Sequence, residues 1–157
     1  MVAGATEGPL MNSEGSILLV EDDPDDRELI RLAFERAAIP CRLIVLTDGE
    51  KALEYFRGSG LYAQQEELRL PRLVLLDLAM PRVSGFEVLE WVRSQPTLRQ
   101  LPIVVLSGST FSADVRRAYL LGANSFFTKP VDFSELALCL KKMAAFWLHS
   151  GEEKMVA

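Results

Sequence analysis

The feature that most constrains the fold of this chain is a repeated alternation of short apolar runs with amphipathic stretches. Short, continuous apolar runs are typical of strands that are buried on both faces of a parallel sheet. Strands separated by helices of roughly 10–15 residues favour right-handed crossovers, which leave helices on both faces of the sheet. The expected strands lie within residues 17–20, 41–50, 72–81, 101–109 and 123–130. The sequence therefore predicts an α/β domain with a doubly wound parallel sheet of five strands and five helices.

Polar residues mark the points where several of the expected helices begin. Asp23 is expected to be the N-cap of the first helix, because Pro24 follows it at the first helical position. Ser112 is expected to cap the fourth helix and Asp132 the fifth. The fifth helix is expected to run to about Leu148, which leaves only a short segment after it.

The length and composition of the chain are those of one globular domain. Its 157 residues are expected to divide into a flexible tail (1–15), the domain itself (16–149) and a short C-terminal tail (150–157). The net charge of −5, without an obvious excess of basic residues on one face, argues against broad binding to nucleic acid. No apolar run approaches the roughly 18 residues of a membrane span. Two distant cysteines, Cys41 and Cys139, form no disulfide framework or zinc motif, so a reducing cytoplasm is expected.

Chemically complementary side chains stand at the ends of four of the predicted strands. In a parallel sheet those ends meet at one rim, where doubly wound folds bind their ligands. We therefore expect one cluster of charged groups and one hydroxyl, formed by Glu21, Asp22, Asp77, Ser107 and Lys129.

The charges of this cluster indicate a cation site. Three carboxylates and one ammonium sum to −2, and two carboxylates about 4 Å apart repel by roughly 4 kcal/mol at an effective dielectric near 20. Such a site must raise a carboxyl pKa or bind a cation, and oxygen ligands favour Mg²⁺. A cation beside Lys129 and Ser107 suits a phosphoryl group, with Asp77 as the nucleophile that forms an aspartyl phosphate.

Each of these residues also has an ordinary structural interpretation. An Asp at a strand end is often only a turn or cap residue, and capping alone explains Asp23. Lys129 by itself is a solvated lysine, and Ser107 by itself is a turn hydroxyl. Asp25 and Asp26 lie in the first turn of the first helix, where the helix dipole favours negative charge.

Four segments of the chain resemble the receiver domain of bacterial response regulators. They are ILLVEDDP, LVLLDLAMPRVSGFEVL, PIVVLSGS and GANSFFTKPVD, and they occur in the family's order between residue 16 and about residue 148. The resemblance implies a flavodoxin-like sheet with strand order 2-1-3-4-5. It also implies a single-domain switch of a two-component system, phosphorylated by a sensor histidine kinase, rather than a turnover enzyme.

The resemblance assigns a role to each residue of the metal site. Asp77 falls at the phosphoacceptor position, and Glu21 and Asp22 form the acidic pair. Asp22 and Asp77 would contact Mg²⁺ (or Mn²⁺) directly, together with the backbone carbonyl of Ala79.

The same resemblance identifies the switch residues and two departures from the family pattern. Ser107 falls at the switching hydroxyl and Lys129 at the phosphate-pairing lysine, which a cis peptide to Pro130 usually follows. Ala79 replaces a residue that is often polar, which removes side-chain control of the attacking water. Phe126 stands at the aromatic switch position, where Tyr is common, and lacks the hydroxyl. The lifetime of the phosphoryl group and the amplitude of the switch depend on these two positions.

A finer resemblance is to small stand-alone regulators that are paired with phytochrome histidine kinases. The similar features are EDDPDDRELIRLAFE, the long loop before LPRLVLLDL, and the FWL ending at 146–148. The resemblance implies a red-light-sensing kinase as the phosphodonor. Only about eight residues follow the expected last helix, so no output domain is expected.

The last helix carries more apolar residues than one core face requires. Leu138, Ala145 and Phe146 lie outside its apolar stripe. A longer core helix is one explanation, and a homodimer interface that includes Phe146 and Trp147 is the one we favour.

Two other functions are compatible with parts of this pattern. An Asp-nucleophile phosphatase would use the same carboxylates, but it generally needs an acid two residues past the nucleophile, where this chain has Ala79. A degenerate receiver that acts only as a binding module would not need the complete set of acids, hydroxyl and lysine.

Overall fold

The described part of the chain contains one sheet of five parallel strands in the order β2-β1-β3-β4-β5. The computed structural model describes residues 15–59 and 70–156, and side chains as far as residue 148. The strands are β1 (Ser16–Val20), β2 (Arg42–Leu46), β3 (Leu73–Leu76), β4 (Ile103–Ser107) and β5 (Ser125–Thr128). The predicted parallel sheet and its strand order are therefore confirmed.

The apolar runs become central strands because both of their faces are covered. Every residue of β3 and β4 is buried, as are the last four of β1, whereas the edge strands β2 and β5 are partly exposed. The register pairs Val20 of β1 with Leu76 of β3, and Leu76 with Val105 of β4. The residues that follow Val20 and Leu76 are Glu21 and Asp77, so these two acids emerge side by side at the rim.

Five helices cover the sheet in the described part of the chain: α1 (Pro24–Arg36), α2 (Gly49–Arg57), α3 (Gly85–Ser94), α4 (Ser112–Leu120) and α5 (Phe133–Val156). Ile30 of α1 and Leu140 of α5 belong to one buried cluster. Tyr55 of α2, Leu89 of α3 and Ala118 of α4 belong to a cluster on the other face. The predicted doubly wound arrangement is thus observed. None of the described helices combines the length and apolar character that a membrane crossing requires.

The predicted helix starts are right for α1 and α5. The side chain of Asp23 accepts hydrogen bonds from the backbone N–H groups of Asp25 and Asp26, and Pro24 occupies the first turn. Asp132 accepts a hydrogen bond from the backbone N–H of Glu135 at 2.9 Å.

The prediction that Ser112 caps α4 is wrong by one position. Phe111 occupies the N-cap, and within the described residues no side chain caps this helix. The hydroxyl of Ser109 instead accepts a hydrogen bond from the backbone N–H of Phe111 and donates one to Asp114 at 2.6 Å. A serine three residues before Ser112 therefore organises this turn.

Two further expectations differ from the structure. Helix α5 does not end near Leu148 but continues to Val156, so the segment expected to be a C-terminal tail is helical up to that residue. The peptide bond between Lys129 and Pro130 is trans, whereas the resemblance implied a cis bond. The expected N-terminal tail and the greater part of the long loop before β3 lie outside the described residues.

Candidate functional site

Three of the predicted site residues form a compact group at the carboxyl ends of β1 and β3. Glu21, Asp22 and Asp77 each offer a carboxylate oxygen, and these oxygens lie within 4.8 Å of one another. Glu21 and Asp77 are only 1% and 5% exposed, and Asp22 is partly exposed. We call this group the carboxylate triad. Its oxygen ligands and its partly open side suit a hard divalent cation.

Lys129 brings a positive charge to the triad from the end of β5. Its Nζ atom lies 2.6 Å from Oε1 of Glu21, 2.8 Å from Oδ2 of Asp26 and 3.6 Å from Oδ1 of Asp77. Its backbone N–H donates to the carbonyl of Ser107 at 2.8 Å, which continues the pairing of β4 and β5. The predicted meeting of Lys129 with the acids is therefore observed.

Burial makes the ionised forms of Glu21 and Asp77 unfavourable without a cation. Burial raises the pKa of Glu21 to about 7, and the nearby charge of Asp77 adds to this, although the hydrogen bond from Lys129 opposes it. Burial likewise raises the pKa of Asp77. Burial alone would lower the pKa of Lys129, but its hydrogen bonds to Asp26 and Glu21 outweigh it and raise the pKa above the ordinary value. Lys129 therefore stays protonated, and the carboxyls of Glu21 and Asp77 lose their protons less readily than usual.

Asp26 is a contact of Lys129 that the sequence analysis missed. The helix dipole was a sufficient explanation for an acid in the first turn of α1, yet this carboxylate lies 2.8 Å from the Lys129 ammonium. The N-cap at Asp23 was the signal that could have located it, because that cap starts α1 at the same rim as the triad.

Arg27 is a second residue that the sequence analysis missed. Its guanidinium donates to the backbone carbonyls of Glu21 at 3.1 Å and Asp22 at 2.7 Å. It therefore ties α1 to the backbone of the acidic pair and fixes the direction in which these two side chains leave β1.

The loop between β3 and α3 closes tightly beneath Asp77. The backbone N–H of Gly85 donates to the carbonyl of Leu78 at 2.9 Å. A Cβ atom at Gly85 would clash with the carbonyl oxygen of Asp77 and lie 2.7 Å from Cα of Leu78. Only glycine fits this position without movement of the backbone that carries Asp77. Ala79 lies exposed in the same loop.

An ion pair connects this loop to α2. Arg82 has a φ of 67°, in the left-handed region that side-chain-bearing residues seldom adopt. Its guanidinium donates to Glu50 at 2.9 Å and lies 3.6 Å from Asp48. These contacts hold the loop against the start of α2.

Of the remaining predicted residues, Ser107 and Ala79 border a cavity of about 410 Å³ beside the loop, and Phe126 lies outside its lining. Ser107 is 1% exposed, and its hydroxyl accepts a hydrogen bond from the backbone N–H of Ser109 at 3.1 Å. Phe126 on β5 is partly buried against the core cluster beneath α2, α3 and α4. The guanidinium of Arg117 lies 4.1 Å from the centre of the Phe86 ring. The cavity is lined by Leu78, Ala79, Met80, Ser84, Phe86, Ser107, Ser109, Asp114 and Arg117.

Comparison with known proteins places this geometry in a family. Residues 17–141 match the model of the response regulator receiver domain. The probable methanogenesis regulatory protein FilR2 of Methanothrix harundinacea is 40% identical over 153 residues, which cover 94% of each chain. The response regulator Rcp1 of Synechocystis is 35% identical over 134 residues, which cover 85% of this chain and 89% of Rcp1.

Two solved structures share the fold over most of their length. The phosphorylated cyanobacterial phytochrome response regulator RcpA superposes with a TM-score of 0.78 at 38% identity, over 87% of this chain and 95% of RcpA. The Mn²⁺-bound form of Rcp1 superposes with a TM-score of 0.75 at 34% identity, over 85% of this chain and 94% of Rcp1.

Proposed function

Because this chain belongs to the receiver-domain family of response regulators, we propose that Asp77 is its phosphoacceptor and that the carboxylate triad holds a divalent cation. The observation that carries this proposal is the surroundings of Asp77: a buried carboxylate, two further acids whose oxygens lie within 4.8 Å, and an ammonium 3.6 Å away. This arrangement offers a nucleophile, a cation site and a positive group for phosphoryl oxygens.

The cation is Mg²⁺ or Mn²⁺ in this proposal. Asp22 and Asp77 would bind it directly with the backbone carbonyl of Ala79, and Glu21 would add a third negative charge beside it. When bound, the cation offsets the repulsion between the carboxylates and between Asp77 and the incoming phosphoryl oxygens. The oxygen-only donor set of the triad supports this choice, as does the Mn²⁺ in the homologous Rcp1 structure.

The reaction is a transfer from a phosphohistidine of a sensor kinase. An oxygen of Asp77 attacks the phosphorus atom, the phosphorus–nitrogen bond breaks, and the imidazole leaves with the bonding electron pair. Lys129 pairs with the phosphoryl oxygens. Water later hydrolyses the acyl phosphate, so the chain acts as a switch rather than as an enzyme that turns over an external substrate.

We propose that Ser107 and Phe126 transmit the conformational effect of phosphorylation from Asp77 to the surface. The Ser107 hydroxyl turns to a phosphoryl oxygen and gives up its contact with the backbone N–H of Ser109. Phe126 then moves into the space beside Ser107. The cavity of about 410 Å³ next to Ser107 supports this proposal, because a buried side chain needs free volume in order to move.

Mass measurement after incubation with a small acyl phosphate and Mg²⁺ tests the phosphoacceptor. The wild type should gain the mass of one phosphoryl group. No gain should be seen when EDTA is added before the donor. Asp77→Ala should gain nothing, whereas the matched change Asp25→Asn in the first turn of α1 should leave the gain intact. An Asp77→Ala chain that gains the same mass would rule out Asp77 as the acceptor.

The kinase partner is proposed to be a phytochrome kinase that senses red light. The similarity to RcpA, which is a phytochrome response regulator, supports this pairing. A purified bacterial phytochrome kinase carrying labelled phosphohistidine should transfer the label to the wild type and not to Asp77→Ala. Failure to label the wild type would remove the pairing but not the phosphoacceptor. Such a pairing also implies a cytoplasmic location.

A homodimer through α5 and β5 is part of the proposal. Phe127, Leu138 and Phe146 are exposed by 39%, 51% and 59% beside a groove of about 520 Å³ between these elements. The Phe146 and Trp147 rings contact each other edge to face, with centroids 4.8 Å apart. Glu135 and Lys142 also line the groove, so the surface carries both signs of charge, which is compatible with a contact between two identical surfaces.

A phosphatase that uses the same nucleophile finds less support. Ala79 carries no acid for a leaving group at the position where such enzymes generally have one. No particular contact in the described residues favours that function over the switch.

A further inference from the structure

The ammonium group of Lys129 is held by a carboxylate that does not belong to the triad. Within the described residues, Nζ contacts Glu21 at 2.6 Å, Asp26 at 2.8 Å and Asp77 at 3.6 Å. An ammonium has three N–H donors and no acceptor. Hydrogen bonds to Glu21 and Asp26 use two donors, which leaves the third for the Asp77 side.

The two hydrogen-bonded carboxylates differ in what phosphorylation demands of them. Glu21 belongs to the triad, so a bound cation competes with Lys129 for its charge. Asp26 lies on α1, outside the triad, and its side chain is 35% exposed, so it is free of that competition.

The backbone around Asp26 is firmly connected to the site. Its N–H donates to the side chain of Asp23 at 3.4 Å. The next residue, Arg27, donates to the carbonyls of Glu21 and Asp22. The backbone at the start of α1, which carries the Asp26 side chain, is therefore held close to the end of β1.

We propose that Asp26 is a positioning residue for phosphoryl transfer, which holds the Lys129 ammonium so that one N–H stays directed at Asp77 and at the phosphoryl group that Asp77 receives. This inference rests on the proposed role of Asp77. Asp26 does not touch the reacting atoms; it acts through Lys129, and its part becomes larger when the cation draws Glu21 away.

The first measurement compares two neighbouring acids of α1. With a small acyl phosphate at saturating Mg²⁺, Asp26→Asn should slow the initial rate of phosphorylation by about tenfold. The reason is the loss of the charge-assisted hydrogen bond that holds the Lys129 ammonium. Asp25→Asn removes the same charge one residue away and should stay within about twofold of the wild type. Thermal unfolding of each variant establishes that it is folded.

A double-mutant cycle with Lys129→Ala separates positioning from a general effect of charge. If Asp26 acts through Lys129, Asp26→Asn should change the rate of a Lys129→Ala chain by less than about twofold. Independently, the Lys129 ammonium signal in ¹H–¹⁵N spectra should be visible in the wild type and in Asp25→Asn, and lost through exchange with water in Asp26→Asn.

Two results would overturn the positioning role. One is an Asp26→Asn rate equal to that of Asp25→Asn. The other is the full slowing by Asp26→Asn in the Lys129→Ala background. A wild type that gains no phosphoryl group at all would instead contradict the proposed function, and with it this inference.

Discussion

At the scale of single residues, the raised pKa of Glu21 predicts how the stability of the fold depends on pH without a metal. The pKa rises from 4.5 in the unfolded chain to about 7 in the folded one, so folding binds a proton between these values. The resulting stabilisation is complete below the unfolded pKa and is lost as the pH rises through about 7. In EDTA the melting temperature should therefore fall as the pH rises from about 4.5 to about 7.

The control for this prediction is Glu21→Gln, which removes the titration and keeps the shape of the side chain. Its melting temperature should change less over the same pH range, and saturating Mg²⁺ should reduce the slope of the wild type, because a cation replaces the proton. Equal slopes for the wild type and Glu21→Gln in EDTA would contradict the assignment.

The sequence located the triad but not every neighbour of it. Glu21 and Asp77 could be predicted because each directly follows a buried strand, and parallel strands end at one rim. Asp26 and Arg27 could not, because their contacts depend on the angle at which α1 leaves β1. A helix packs at an angle set by its whole buried face, which no local pattern specifies.

At the scale of elements, strands and helices were predictable where a pattern repeats or where the capping residue itself stands at the boundary. They were less predictable where a hydrogen bond between more distant residues sets the boundary. The start of α1 depends on its own Asp23, and the sequence predicted it. The start of α4 depends on Ser109 and Asp114, whose hydrogen bond spans five residues. The length of α5 was underestimated, because its core-facing pattern weakens before the helix ends.

The side chain of Arg93 connects α3 to several neighbouring segments through hydrogen bonds. Its guanidinium donates to the carbonyls of Gly122 at 3.0 Å and Leu101 at 2.8 Å, and to the side chain of Asn124 at 2.9 Å. Asn124 Oδ1 also accepts from the backbone N–H of Ile103 at 2.8 Å, at the start of β4. One arginine therefore connects α3 to the turns that precede β4 and β5.

Replacement of Arg93 should weaken the fold while leaving the phosphoacceptor chemistry intact. Arg93→Met keeps much of the apolar stem but leaves several acceptors without a donor, which should cost about 2 kcal/mol of unfolding free energy. Urea unfolding measures this loss, and Arg99→Met, a change at an exposed arginine nearby, should stay within about 0.5 kcal/mol of the wild type. A loss at Arg93 no larger than at Arg99 would mean that these hydrogen bonds contribute little.

At the scale of the whole molecule, the site and the surface proposed to bind a second copy lie at different places on the same layered fold. The alternation of strands and helices was enough to predict the layers, because crossovers are almost always right-handed. The order 2-1-3-4-5 came from the resemblance, since several orders satisfy the same alternation. The triad lies at the carboxyl ends of β1 and β3, whereas the apolar groove follows α5 and the outer strand β5.

The oligomeric state tests whether the groove is a contact between two copies. The exposed Phe146 ring stands on this groove, and a carboxylate in its place would be desolvated in an apolar interface. By analytical ultracentrifugation at micromolar concentration, the wild type should be a dimer and Phe146→Asp a monomer with a similar melting temperature. Leu29→Asp is the matched control, because Leu29 is an exposed apolar residue on α1, away from the groove, and its variant should remain a dimer. A monomeric wild type, or a dimeric Phe146→Asp, would show that this groove does not join two copies, and its exposed aromatic ring would then need a different partner.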